Sequence, residues 1–131
     1  MCNSFYSDSI INFLSQSENE IFGIIAKNDE FDSASKQKDA WLSQIQLLKN
    51  VLNKYTNGSI IFEYTIPRVG GRIDNVILLN DIIFVLEFKV GNDLYSGSAE
   101  IQARSYAVDL ANFLELYKKL KYLFSIIYSN N

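Results

Sequence analysis

Apolar positions along the chain change their spacing in an order that outlines the fold. Trp41, Ile45, Leu48 and Leu52 recur at helical intervals with Leu47 and Val51 beside them, which predicts an amphipathic helix from about Ser35 to Asn53. After the turn residues YTNGS come three β-rich runs, SIIFEYTI at 59–66, RIDNVILL at 72–79 and IIFVLEFKV at 82–90. The breaks between them, PRVGG and NDI, are short enough to imply an antiparallel meander. Past GNDLYSGS the period becomes helical again through Ala103, Tyr106, Ala107, Leu110, Phe113, Leu114 and Tyr117, and YLFSIIY reads as a last strand. Upstream, residues 7–27 read as two short helices, the second opened by a capping box of Ser17 and Glu20. The order predicts an α/β fold with helices packed on a central mixed sheet. An N-terminal helical extension over 1–34 would precede a core over 35–131 within one globular unit. Gly70 and Gly71 read as turn glycines, and no Gly-rich nucleotide-binding pattern is present.

Composition narrows the chemistry. With 131 residues, 48% of them hydrophobic and 21% charged, the chain holds enough apolar material for one core. A single cysteine, Cys2, rules out an internal disulfide framework and a multi-cysteine zinc site, and suits a reducing compartment, so a cytoplasmic location is expected. The first twenty residues do not resemble a signal peptide, and no run approaches the roughly 18 apolar residues that a membrane span needs. The absence of histidine removes histidine bases, histidine metal ligands and every Ser-His or Cys-His pair. Chemistry is left to carboxylates, lysine, tyrosine or a hard metal ion. A net charge of −3 argues against coating nucleic acid by bulk electrostatics, while leaving room for a local basic patch.

Three charges interrupt runs that otherwise want to be dry: Asp74, Glu87 and Lys89. Residues two apart on a strand share a face, so Glu87 and Lys89 point the same way, and Asp74 goes with Arg72 and Val76. If the two runs pair across NDI, Asp74 can converge with Glu87 and Lys89. Burying isolated charges costs roughly several kcal/mol unless they are paired or bind an ion. Two readings follow, a solvated or salt-bridged strand pair and a cation site built on two carboxylates.

The pattern Asp74…Glu87-Phe88-Lys89, after a helix and a first strand, resembles the PD-(D/E)XK nuclease superfamily. More narrowly, FEYTIPRVGGRID, IIFVLEFKVG and QARSYAVDLANF resemble the amino-terminal region of bacterial proteins in which such a domain precedes a helicase-like ATPase. The resemblance spans about residues 37–128. It implies a restriction endonuclease-like αβββαβ core and a Mg²⁺- or Mn²⁺-dependent nuclease hydrolysing phosphodiester bonds of DNA, in repair, restriction or phage defence. Asp74, Glu87 and the Phe88 backbone carbonyl would hold the metal, and Lys89 would orient or deprotonate the attacking water. The superfamily often adds an acid from the first helix. Here that helix offers Asp39 at its start and no acid in its apolar stripe, so Glu63 is the substitute. Gln102 and Tyr106 resemble a Gln-x-x-x-Tyr element that supports the lysine, with apolar packing of Tyr106 as the alternative. Arg68, Arg72 and Arg104 are the candidate nucleic-acid contacts, and a helicase-like ATPase the implied partner. A catalytically weak nucleic-acid-binding or protein-interaction module of the same fold is the alternative function. A purely structural network of Asp74, Glu87, Lys89 and Arg72 is a third.

Overall fold

The computed structural model describes residues 3–29, 35–66, 70–80, 82–90 and 121–129. In chain order these form β1 (Tyr6–Ser9), α1 (Ile10–Ser15), α2 (Glu18–Asn28), α3 (Ser35–Leu52), β2 (Ser59–Thr65), β3 (Arg72–Leu79), β4 (Ile82–Val90) and β5 (Lys121–Ser129). The sheet order is β1-β2-β3-β4-β5, with β1 to β4 antiparallel and β5 parallel to β4. The α/β class, the meander and the mixed sheet all match the reading from periodicity. The helical pattern around Tyr106 lies outside the described residues.

The segment read as two short helices contains both, but a strand precedes them. β1 pairs with β2 from Tyr6↔Phe62 to Ser9↔Ser59. Its four residues have no alternation of their own to announce them, and the strand exists because the β2 edge offers it a ladder. Each helix is opened by a serine: the Ser9 hydroxyl accepts from the Asn12 N–H, and the Ser17 hydroxyl accepts from the Glu20 N–H at 3.1 Å, as the capping pattern predicts. The segment shares one core with the rest. Tyr6, Ile10, Phe13, Ile21 and Ile25 are buried in the same cluster as Trp41, Ile45, Leu48 and Leu52 of α3, together with Ile60, Phe62, Ile77 and Leu86 of the sheet. Leu47 and Val51 stay exposed on the outer side of α3. A second cluster, Ile66, Ile73, Val76, Ile83 and Val85, covers the other face of the sheet, as alternation along each strand requires.

Tight approaches join the layers. Gly58 turns into β2 with φ +112°, and a Cβ there would come within 2.4 Å of the Leu78 carbonyl, so the glycine of YTNGS is required by both conformation and space. Gly70, also left-handed, donates to the Ile66 carbonyl in the β2–β3 turn. No helix among the described residues is long and apolar enough to cross a membrane.

Lys49 locks α3 onto α1. Its ammonium donates to the carbonyls of Phe13, Leu14 and Gln16 at 2.5, 3.3 and 2.5 Å and lies 4.9 Å from the Phe13 ring centroid. The last carbonyls of a helix have no partner within it, and a cation there also meets the negative end of the helix dipole. Partial burial pulls the Lys49 pKa below its ordinary value, opposed by Glu18 and Glu20. Lys49→Met keeps the stem and removes the cap, and is expected to lower unfolding free energy by about 1–3 kcal/mol in a urea titration. A variant as stable as the parent would show that water replaces the ammonium at no cost.

Candidate functional site at the β3–β4 fork

Pairing between β3 and β4 runs from Leu79↔Ile82 to Asn75↔Leu86 and ends there, while β4 continues beside β5 through Glu87↔Ile126, Phe88↔Ile127 and Lys89↔Tyr128. One step beyond the last β3–β4 pair stand Asp74 and Glu87, at facing positions. The backbone of β4 is thus without its β3 ladder where the Glu-x-Lys residues begin, and a buried N–H must find another acceptor. Asp74 supplies it: the Phe88 N–H donates to Asp74 Oδ2 at 2.8 Å. An ionised acceptor strengthens such a bond, so the carboxylate ties the two strands where the ladder stops. Glu87 is buried, and alternation with Val85 puts it on the side of the second cluster, while Leu86 and Phe88 face the first.

The same level of the sheet holds a second irregularity. In the β2–β3 register, Phe62↔Asn75 and Tyr64↔Ile73 flank Glu63, which faces Asp74. Glu63 has φ +54°, a left-handed conformation rare for a residue with a side chain. This turn of the backbone resets the pleat. Phe62 packs with the first cluster and Tyr64 with the second, although residues two apart normally share a face. β3 slips in step, since Ile73 and Val76, three apart, lie in one cluster. The expectation that Arg72, Asp74 and Val76 share a face is therefore corrected: Val76 faces the second cluster, whereas Arg72 lies over Phe5, which packs against the first.

Because of that turn the Glu63 carboxylate meets α3 instead of solvent. Its Oε1 accepts from Trp41 Nε1 at 3.1 Å and from Gln37 Nε2 at 3.2 Å, and its Oε2 lies 3.8 Å from Arg72 Nη1. Burial, above all, pushes the Glu63 pKa up to about 7; the nearby Asp74 and Asp29 add to the rise, and the Trp41 hydrogen bond and Arg72 oppose it. Glu63, the substitute acid of the resemblance, is thus buried and paired with Arg72.

The structure thus brings Asp74, Glu87, Phe88, Glu63 and Arg72 to one level of the sheet, with Lys89 two residues on from Glu87 in β4. Arg68, Gln102, Arg104 and Tyr106 lie outside the described residues. Periodicity alone missed Gln37 and Phe5 as parts of this region and took Trp41 for core only. The four-residue spacing of Gln37 and Trp41, which stacks them one helical turn apart, was the available signal. For a divalent ion the donor set has the right chemistry, two carboxylates and a backbone carbonyl, all hard oxygens. Among the described residues no group of three or more Cys, Asp or Glu is close enough together to hold a metal, so Glu63 does not join Asp74 and Glu87 as a third ligand. An ion here would complete its shell with water or phosphate oxygens, as Mg²⁺ commonly does. A scan of protein-family models, a search of curated proteins and a search of solved structures each returned no match.

Proposed function

We infer that the chain is a Mg²⁺- or Mn²⁺-dependent nuclease domain acting on DNA, with a restriction endonuclease-like core. The observation that carries this reading is the Asp74 carboxylate on the Phe88 N–H, which links the lone acid of β3 to the Glu87-Phe88-Lys89 segment of β4 where their ladder ends. Asp74, Glu87 and the Phe88 carbonyl would hold the ion, which when bound polarises a phosphate oxygen and lowers the pKa of bound water. Lys89 holds the attacking water and offsets charge that grows on the phosphoryl oxygens. Arg72 takes a backbone phosphate, and Glu63, bonded to Trp41, Gln37 and Arg72, fixes that side of the site. In a longer protein, a helicase-like ATPase would deliver the strand.

The lack of a third acid among the described residues favours one alternative, a nucleic-acid-binding module of this fold with little activity. Calorimetric titration with Mn²⁺, paired with cleavage of linear and single-stranded DNA, separates the readings. The parent protein is expected to bind Mn²⁺ weakly and to cut, and Asp74→Ala to do neither while keeping its circular dichroism spectrum. Metal binding without cleavage favours the binding module. No metal binding by the folded parent favours a structural network around Asp74 and Glu87.

A further inference from the structure

We propose that Phe5 and Glu63 are positioning residues that hold the Arg72 guanidinium ready for a backbone phosphate of nucleic acid, making the start of the chain part of the binding surface. The proposal rests on the nucleic-acid half of the reading above and is independent of cleavage.

Arg72 stands two residues before Asp74 in β3. Its guanidinium carbon lies 5.0 Å from the Phe5 ring centroid, its Nη1 is 3.8 Å from Glu63 Oε2, and the side chain remains 39% exposed. A guanidinium has two faces and five N–H donors in a plane. The ring covers one face and Glu63 faces one edge, so other donors remain toward solvent.

Both braces are themselves held. The Phe5 N–H donates to the Phe62 carbonyl at 3.1 Å, the Phe5 carbonyl accepts from Asn28 Nδ2 at 2.8 Å, and its ring meets Trp41 edge-on at 6.1 Å. Glu63 is aimed by its left-handed backbone and by Trp41 and Gln37, which both donate to Oε1 and so leave Oε2 for Arg72. A free arginine loses side-chain rotamer entropy when it is fixed on a ligand. Here much of that ordering is done before the ligand arrives, which is how a preorganised group gains affinity. Phosphate is the ligand class that matches a planar fork with donors to spare. A chain with net charge −3 must also draw on locally placed cations to bind a polyanion at all.

The test is fluorescence anisotropy of a labelled DNA duplex and a labelled single strand in EDTA, over a series of KCl concentrations, with thermal unfolding of every variant. Arg72→Ala is expected to weaken binding roughly tenfold and to reduce the slope of log K against log salt by about one. Phe5→Leu is expected to weaken binding about two- to fivefold when Arg72 is present and not at all in the Arg72→Ala background, with Phe5→Trp restoring the parent affinity. A merely structural Phe5 would cost the same in both backgrounds, which would overturn the positioning role. Should Phe5→Leu fail to fold, Arg72→Lys serves in its place, since it keeps the charge and loses the stacking. A two- to fivefold loss at unchanged salt slope then supports the bracing, and parent-like binding overturns it. No binding by the folded parent, or no effect of Arg72→Ala, overturns the whole proposal. Arg72-dependent binding in a protein that never cuts DNA with Mn²⁺ would defeat the nuclease reading and leave this one standing.

Discussion

Lys89→Ala is expected to leave divalent-ion binding intact or slightly tighter and to slow phosphodiester cleavage by a factor on the order of 10² to 10³, or about 3–4 kcal/mol. On the proposed nuclease reading, the lysine would act on charge that develops only as the reaction proceeds. A group of this kind contributes to the transition state and little to the ground state, so its removal lowers the rate without weakening binding of substrate or metal. If Lys89 competes with the ion for the carboxylates of Asp74 and Glu87, as the proposed reading has it, its loss also removes that competitor. Asp74→Ala and Glu87→Ala should abolish both binding and cleavage, and Asp74→Ala also removes the acceptor of the Phe88 N–H. Single-turnover cleavage with Mn²⁺, calorimetry and circular dichroism on the three variants separate these roles. Full activity in a folded Lys89→Ala protein would take the lysine out of the mechanism. Equal activity in all three variants would point to a contaminating nuclease.

Glu63→Gln is expected to remove a pH dependence of stability that the parent protein shows between about pH 4.5 and 7. The ordinary carboxyl pKa of 4.5 is raised in the folded state to about 7, chiefly by burial. Between those values the folded protein holds a proton that the unfolded chain has released. Stability contributed by this group is therefore complete below pH 4.5, falls as pH rises, and is flat again above about 7. At about 1.36 kcal/mol per unit, the change across the window is on the order of 3 kcal/mol. Glutamine keeps an oxygen that can accept from Trp41 and Gln37 and carries no charge to desolvate. The difference in unfolding free energy between parent and variant should thus move in the variant's favour as pH rises. Urea titrations at half-unit steps from pH 4 to 8 measure it, and because the other carboxylates titrate in both proteins, they cancel in the difference. Parallel curves for the two proteins would mean that Glu63 is ionised at its ordinary pKa, with Arg72 outweighing burial.

Much of the fold was legible because it follows from short-range physics. The β-rich composition of RIDNVILL and IIFVLEFKV, bounded by short turn segments, marks β3 and β4 at the bounds the structure has, Arg72–Leu79 and Ile82–Val90. The stripe of Trp41, Ile45, Leu48 and Leu52 marks α3, and Ser17 with Glu20 marks the start of α2. Each depends on neighbours within a turn of helix or a few strand residues, where spacing and capping chemistry act locally. The antiparallel pairing of β3 with β4 was legible for the same reason, since a tight turn between two strands sets their register.

What only the tertiary structure decided depends on partners far apart in sequence. β1 is a strand because β2 offers an unpaired edge, and no propensity in four residues outweighs that ladder. Lys49 looks like a solvated helix residue until the carbonyls at the end of α1 arrive beneath it. The pleat reversal at Glu63 breaks the two-residue alternation on which every assignment of faces rested, and it turned a strand acid inward onto Trp41 and Gln37. It also brought Arg72 over Phe5. A left-handed φ on a glutamate leaves no trace in the alternation of apolar and polar residues, because it costs local energy and persists only where surrounding hydrogen bonds hold it.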